Sequence, residues 1–191
     1  MISCDAAFFI AGAFLLMLLP LDWILSAAVA ALVHEGGHLL AVALCGGKIR
    51  NVRIHIVGCV MEAEPMGMGK SILCILSGPL ASFSLLMFRE RLPLIAVCGL
   101  LQGAYNMLPV LPLDGGRVFL CFLRTYIPGK AERIMMLWER SLAATVLCGG
   151  IWLFLRTGAG ITLLIFGVFL NIGMLRRKIP CKDHRIELQC Y

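Results

Sequence analysis

His34-Glu35-Gly36-Gly37-His38 stands inside the apolar run 23–45, and that placement limits the possible folds more than any other feature of the chain. A run of this length can cross a bilayer as a helix, because about 20 residues span the ~30 Å of hydrocarbon. Ionisable side chains in such a helix cost roughly 2.5 kcal/mol or more each on insertion scales, so they rarely persist there without a task. At helical spacing His34 and His38 share one face, where both imidazoles can bind a single Zn²⁺ with Glu35 beside them. The bland alternative, a pair of hydrogen-bonded core histidines, leaves the carboxylate between them unexplained. The pattern reads as that of a zinc hydrolase.

Composition agrees with a membrane interior. Of 191 residues, 60% are hydrophobic and 15% charged, with a mean hydropathy of +0.92. That balance lies far from a soluble domain and indicates an integral membrane protein. The net charge of +6 does not point to nucleic acid, since Lys and Arg fall between apolar runs rather than along one face or among aromatics. Nine cysteines, an odd number, include Cys45, Cys59, Cys74, Cys98, Cys121 and Cys148 scattered along or near the apolar runs. They read as packing residues, with Cys181 and Cys190 as reduced tail thiols and no cysteine assigned to a metal.

The expected fold is an all-α polytopic membrane protein with about six transmembrane helices and a small membrane-associated β-hairpin after the second. Spans are expected over 6–19, 23–45, 71–88, 92–108, 134–155 and 161–175,. The first lacks a basic leading segment and a small-residue cleavage site, so it reads as a span rather than a signal peptide. Residues 48–64 interleave Ile49, Val52, Ile54, Ile56 and Val57 with Arg50, Arg53 and His55, the alternation of a hairpin. Ser77-Gly78-Pro79 predicts a kink or close helix packing within the third span. Pro109, Pro112, Gly115 and Gly116 predict an irregular loop displaying Asp114, with helix returning over 118–126 at the membrane surface. The domain boundaries are a membrane domain over 1–175 and a short basic tail over 176–191.

Charge bias predicts the orientation. With six spans, fourteen of the 17 Lys and Arg residues fall on the side of both termini, leaving Arg89, Arg91 and Arg156 opposite. The positive-inside rule then places both termini, the hairpin and the Asp114 loop in the cytoplasm, in what reads as a bacterial cytoplasmic membrane.

Catalytic zinc takes three protein ligands and keeps one open position, so two histidines leave a vacancy. Asp114 is the leading candidate, being on the same expected side as the end of the motif helix. Glu62 and Glu64 are rivals.

Taken with Asn106-Met107-Leu108-Pro109-Val110-Leu111-Pro112-Leu113-Asp114-Gly115-Gly116-Arg117, the His34–His38 motif resembles the site-2 protease family of intramembrane metalloproteases. The hairpin-like segment and Ser77-Gly78-Pro79-Leu80 add to the likeness, which covers roughly 5–175. It looks most like the branch that processes sporulation sigma-factor precursors, without a PDZ insertion or a nucleotide-sensing (CBS) domain. The resemblance implies that His34, His38 and Asp114 bind one Zn²⁺ per chain and that Glu35 is the catalytic carboxylate. It implies substrate or transition-state contacts at Asn106 and Pro112. The family often carries Asn a few residues after Gly-Pro, whereas Ser82 stands here.

The chemistry expected is peptide hydrolysis, with Glu35 taking a proton from zinc-activated water and returning it to the leaving amine. The Asn106 amide could stabilise the oxyanion. It could equally serve as a helix-end cap or interhelical bond. The expected partners are the lipid bilayer, a transmembrane or membrane-associated precursor, and an inhibitory membrane protein as a further candidate. No nucleic acid is expected. Two other classes fit some of the same residues, a metal transporter and a catalytically inactive membrane-protein binder. The transporter is disfavoured because the last two spans offer almost no ionisable groups for a path.

Overall fold

The computed structural model describes the backbone of residues 2–4, 20–47, 49–55, 58–63 and 67–157, and the side chains of 20–47 and 67–156. The expected first and sixth spans, the basic tail, Ile56, Val57, Glu64, Cys181 and Cys190 lie outside the described residues. What is described is mostly helical and falls into two units, one running to Phe119 and the other beginning at Leu120.

The first unit opens with a short strand, β1 (Ile2–Cys4), followed by helix α1 (Leu21–Leu44). Asp22 lies in the first turn of α1, where a negative charge complements the helix dipole,. The helix ends in a Schellman motif: Gly46 adopts φ +75°, its N–H donates to Ala43 O, and the Gly47 N–H donates to Val42 O,. The Lys70 ammonium then caps the Cys45 carbonyl at 3.2 Å, placing a cation at the negative end of the helix,. Strands β2 (Ile49–His55) and β3 (Gly58–Ala63) follow. Their backbones pair antiparallel, with an irregularity between Ile49 and Asn51, and β1 pairs parallel to β2.

Helix α2 (Met68–Ser84) continues through a 3₁₀ turn over Leu85–Phe88, and α3 (Pro93–Asn106) starts with proline, whose missing N–H costs nothing in a first turn,. Pro79 lies within α2 and is buried. All three helices pack on one another. Their shared interior is built from small residues. Ala30 packs with Leu85 and Cys98, while Ala41 and Val42 pack with Cys74. The approach is close enough that a Cβ on Gly37 of α1 would lie 2.6 Å from the Ser77 carbonyl oxygen of α2. One on Gly99 of α3 would lie 2.7 Å from the Ser82 carbonyl oxygen. Large side chains such as Leu32, Leu44, Leu80, Met87 and Leu101 face outward. In lipid this arrangement is favoured, because helices there associate through tight backbone packing rather than through apolar burial.

Helix α4 (Asp114–Tyr126) begins at the carboxylate itself, a correction to the expected loop around Asp114 with helix only from residue 118. Gly115 and Gly116 do not break this helix. They are held in its first turn because a Cβ on Gly115 would strike the Met107 carbonyl and one on Gly116 would strike Val110, so the preceding turn can fold against the helix start.

In the second unit, Gly129 (φ +86°) turns the chain from α4 into α5 (Ala131–Thr157). Arg124 bridges that turn to Glu132 at 3.0 Å. Ala131, Met135, Glu139 and Ala143 are buried at four-residue spacing along one face of α5,.

Among the described residues three helical stretches are long and apolar enough to cross a membrane: Leu21–Leu44, Met68–Phe88 and Ala131–Arg156. They coincide with the expected second, third and fifth spans. The 14 residues of α3 extend about 21 Å, short of the ~30 Å hydrocarbon thickness expected of a full crossing.

Candidate metal centre

Two helices bring a pair of imidazoles and one carboxylate together. His34 and His38 come from successive turns of α1, and Asp114 comes from the start of α4. At 1.5 Å per residue, the two histidines sit roughly 9–15 Å from the Leu44 end of a helix about 36 Å long. His34 and Asp114 are 3% and 4% exposed.

The geometry was tested against the requirements of a metal. His34 Nε2 lies 3.1 Å from Asp114 Oδ2, His38 Nε2 lies 3.3 Å from the same oxygen, and the two Nε2 atoms are 3.3 Å apart. Zinc bonds of about 2.0–2.1 Å at tetrahedral angles separate neighbouring ligand atoms by about 3.3–3.4 Å. The triangle therefore matches one face of a zinc tetrahedron. It is the group of potential metal ligands found among the described residues.

Proton positions on the rings follow from their outer contacts. His38 Nδ1 lies 2.8 Å from the Cys74 carbonyl oxygen, which can only accept, so Nδ1 carries the hydrogen. The neutral ring then offers its lone pair at Nε2, toward the other two ligand atoms. His34 Nδ1 lies 2.9 Å from Ser82 Oγ. The second oxygen of Asp114, Oδ1, is 3.7 Å from Arg117 Nη1 one turn along α4.

Helix α2 forms the wall of this site. Cys74, Gly78 and Ser82 follow one another at four-residue spacing, a single stripe facing the histidine stripe of α1. Any Cβ on Gly78 would occupy the position of the His38 imidazole. Glycine there is what lets the ring lie against the α2 backbone. Sequence reasoning missed the roles of Cys74 and Ser82 toward the histidines. The signal that could have found them is the small-residue stripe Cys74-Gly78-Ser82 at one-turn spacing.

Of the remaining expected site residues, Glu35 follows His34 directly and is half-buried, with its Oε2 atom wholly buried. Asn106 Nδ2 donates to the Gln102 carbonyl at 3.1 Å, within its own helix. Pro112 is exposed two residues before Asp114. Among the described residues neither Asn106 nor Pro112 joins the hydrogen-bonded cluster. The side chains of Glu62 and Glu64 lie outside the described residues.

No protein-family model matches the chain. A zinc metalloprotease of Methanocaldococcus jannaschii is 24% identical over 160 residues, which are 76% of this chain and 46% of that protein. The chain thus spans about half the length of this curated relative. The solved structure of a site-2 protease from Methanocaldococcus jannaschii superposes with a TM-score of 0.65 at 22% identity, covering 93% of this chain and 89% of that one. The two chains share a fold.

Proposed function

We propose that the chain is a zinc-dependent intramembrane endopeptidase that cleaves a transmembrane or membrane-associated precursor near the cytoplasmic face. The observation that carries this reading is the triangle of His34 Nε2, His38 Nε2 and Asp114 Oδ2 at zinc-ligand separations, with Glu35 next to it on the same helix. The archaeal relative named a zinc metalloprotease is in keeping with it. One Zn²⁺ held by His34, His38 and Asp114 would supply a Lewis acid and a water nucleophilic near neutral pH,. Glu35 accepts the proton that this water gives up and delivers it to the leaving amine. On releasing the Gln102 carbonyl to which it now donates, the Asn106 amide donates to the oxyanion as it develops. Pro112, exposed two residues before Asp114, contacts the substrate in this reading.

A helical substrate must open locally before its amides are accessible. In the sheet order β1-β2-β3, β3 is an outer strand, and as part of a membrane-associated hairpin it can hold an extended segment by β-addition. The full membrane domain has six spans in this reading, including residues 6–19, the region of α3 and residues 161–175, with both termini in the cytoplasm. Sporulation sigma-factor precursors are the substrate class suggested by the sequence resemblance, and an inhibitory membrane protein is the proposed regulator.

The test is hydrolysis by the purified chain in detergent, offered single-span and membrane-associated precursors. Cleavage that disappears on chelation and returns with zinc is expected. A zinc-loaded chain that moves zinc across proteoliposomes, or binds precursors without cutting any, contradicts the proposal in favour of a transporter or a binder.

A further inference from the structure

We infer that Ser82 is a positioning residue for the metal centre, holding the His34 ring so that Nε2 faces the cation. The inference rests on the zinc reading above and concerns a residue outside the ligand set.

The serines of α2 supply the internal comparison. Ser77 Oγ donates to the Cys74 carbonyl and Ser84 Oγ donates to the Ala81 carbonyl, each at 2.6 Å. Both follow the usual habit of a helical serine, which spends its hydroxyl on the preceding turn of its own helix. Ser82 departs from it. Its Oγ lies 2.9 Å from His34 Nδ1, across the α1–α2 interface, and the residue is 0% exposed.

A chemical role follows from that contact. For Nε2 to offer a lone pair, the proton of a neutral imidazole must sit on Nδ1, and a proton there needs an acceptor on the buried, α2-facing side of the ring,. The Ser82 hydroxyl oxygen is that acceptor. Without it, His34 gains nothing from keeping its proton on Nδ1, and the tautomer with hydrogen on Nε2 has no lone pair to offer at the nitrogen that faces His38 and Asp114,. The position also limits size. Helix α3 presses on α2 at this residue, where a Cβ on Gly99 would lie 2.7 Å from the Ser82 carbonyl oxygen. A compact hydroxyl reaches His34 without needing the room of a longer amide.

The full chain should be purified in detergent as wild type, Ser82→Ala, Ser82→Cys and Ser71→Ala. Zinc affinity would be measured by competition with a chromophoric chelator, and ligand geometry from the visible spectrum of the cobalt-loaded protein. Loss of an outer-shell partner to a ligating histidine typically costs about 10-fold to 100-fold in metal affinity. That loss is expected for Ser82→Ala, together with a changed cobalt spectrum at full loading. Ser82→Cys keeps the side chain's volume but offers a weak acceptor, and should lose affinity in the same direction. Ser71 is equally buried in the same helix, so Ser71→Ala controls for the loss of a buried hydroxyl and should bind zinc like wild type.

Wild-type affinity and spectrum in Ser82→Ala would overturn the inference, as would an equal loss in Ser71→Ala. Should Ser82→Ala fail to fold, wild-type affinity in Ser82→Cys would overturn it just as directly. A wild-type chain that binds no zinc removes the underlying metal reading and this inference with it, whereas equal zinc binding by wild type and the Ser82 variants removes this inference alone.

Discussion

Asp114 divides its two oxygens between tasks: Oδ2 faces both histidines and Oδ1 faces Arg117. A carboxylate used in this way is fixed in direction before any metal arrives, as are the imidazoles held from behind by Cys74 and Ser82,. The spacing of His34 and His38 was legible in the sequence because four residues always return to the same helical face. Asp114 was legible as the leading candidate over Glu62 and Glu64, from its loop and its expected membrane side, but its convergence with a helix some eighty positions away is a tertiary fact. The contacts of Ser82 were not legible at all, because a helical serine ordinarily bonds its own backbone. Replacing His34, His38 or Asp114 with Ala is expected to lower bound zinc, measured by elemental analysis of purified protein, because each change opens a site with only three protein ligands. Full zinc occupancy in Asp114→Ala would make Asp114 the wrong third ligand and bring Glu62 or Glu64 forward.

Two helix elements show why some boundaries were readable and another was not. Pro20 and the Gly46-Gly47 pair bracket α1 with local signals, a residue that cannot continue a preceding helix and a left-handed turn that stops the next one,. The start of α4 carries two glycines, which by propensity argue against helix. Close approach to the Met107 carbonyl overrides that preference, and the carbonyl's position cannot be read from residues 114–116. The α1–α2 contact makes a matched pair of tests within one motif. Gly37→Val would force a branched side chain into the Ser77 carbonyl, only 2.6 Å from the new Cβ. The expected cost is about 1–3 kcal/mol of stability, typical of overpacking, along with weaker zinc binding as α1 moves off Cys74 and Ser82. Gly36→Ala meets nothing within 4 Å and should leave the thermal midpoint at or slightly above wild type, since alanine favours helix by about 1 kcal/mol over glycine. Equal midpoints for Gly37→Val and wild type would contradict the close packing described here.

Among the described residues, a helix interface built from small residues with many large apolar side chains facing outward is the inverse of a water-soluble core, and it agrees with the hydropathy of the chain,. That much was legible, because composition and run length report the solvent a chain is built for. The span count was less so: α3 is apolar yet only 14 residues long, and apolarity alone does not separate a crossing helix from one that stops partway. Fourteen basic residues on one side predict that cysteine labels at positions 50 and 120 and at the C-terminus react from the cytoplasm, with position 90 reacting from outside. An external C-terminus would overturn the six-span arrangement. The central claim, that this chain binds zinc in order to cut peptide bonds, meets its most direct test at Glu35. Glu35→Gln keeps the size of the side chain and all three metal ligands but cannot accept the proton of water, so zinc content and cleavage should be measured on the same purified sample. The expected result is wild-type zinc, bound precursor and a cleavage rate reduced by roughly 10²-fold to 10⁴-fold. Cleavage by the zinc-loaded Gln variant at the wild-type rate would contradict the mechanism.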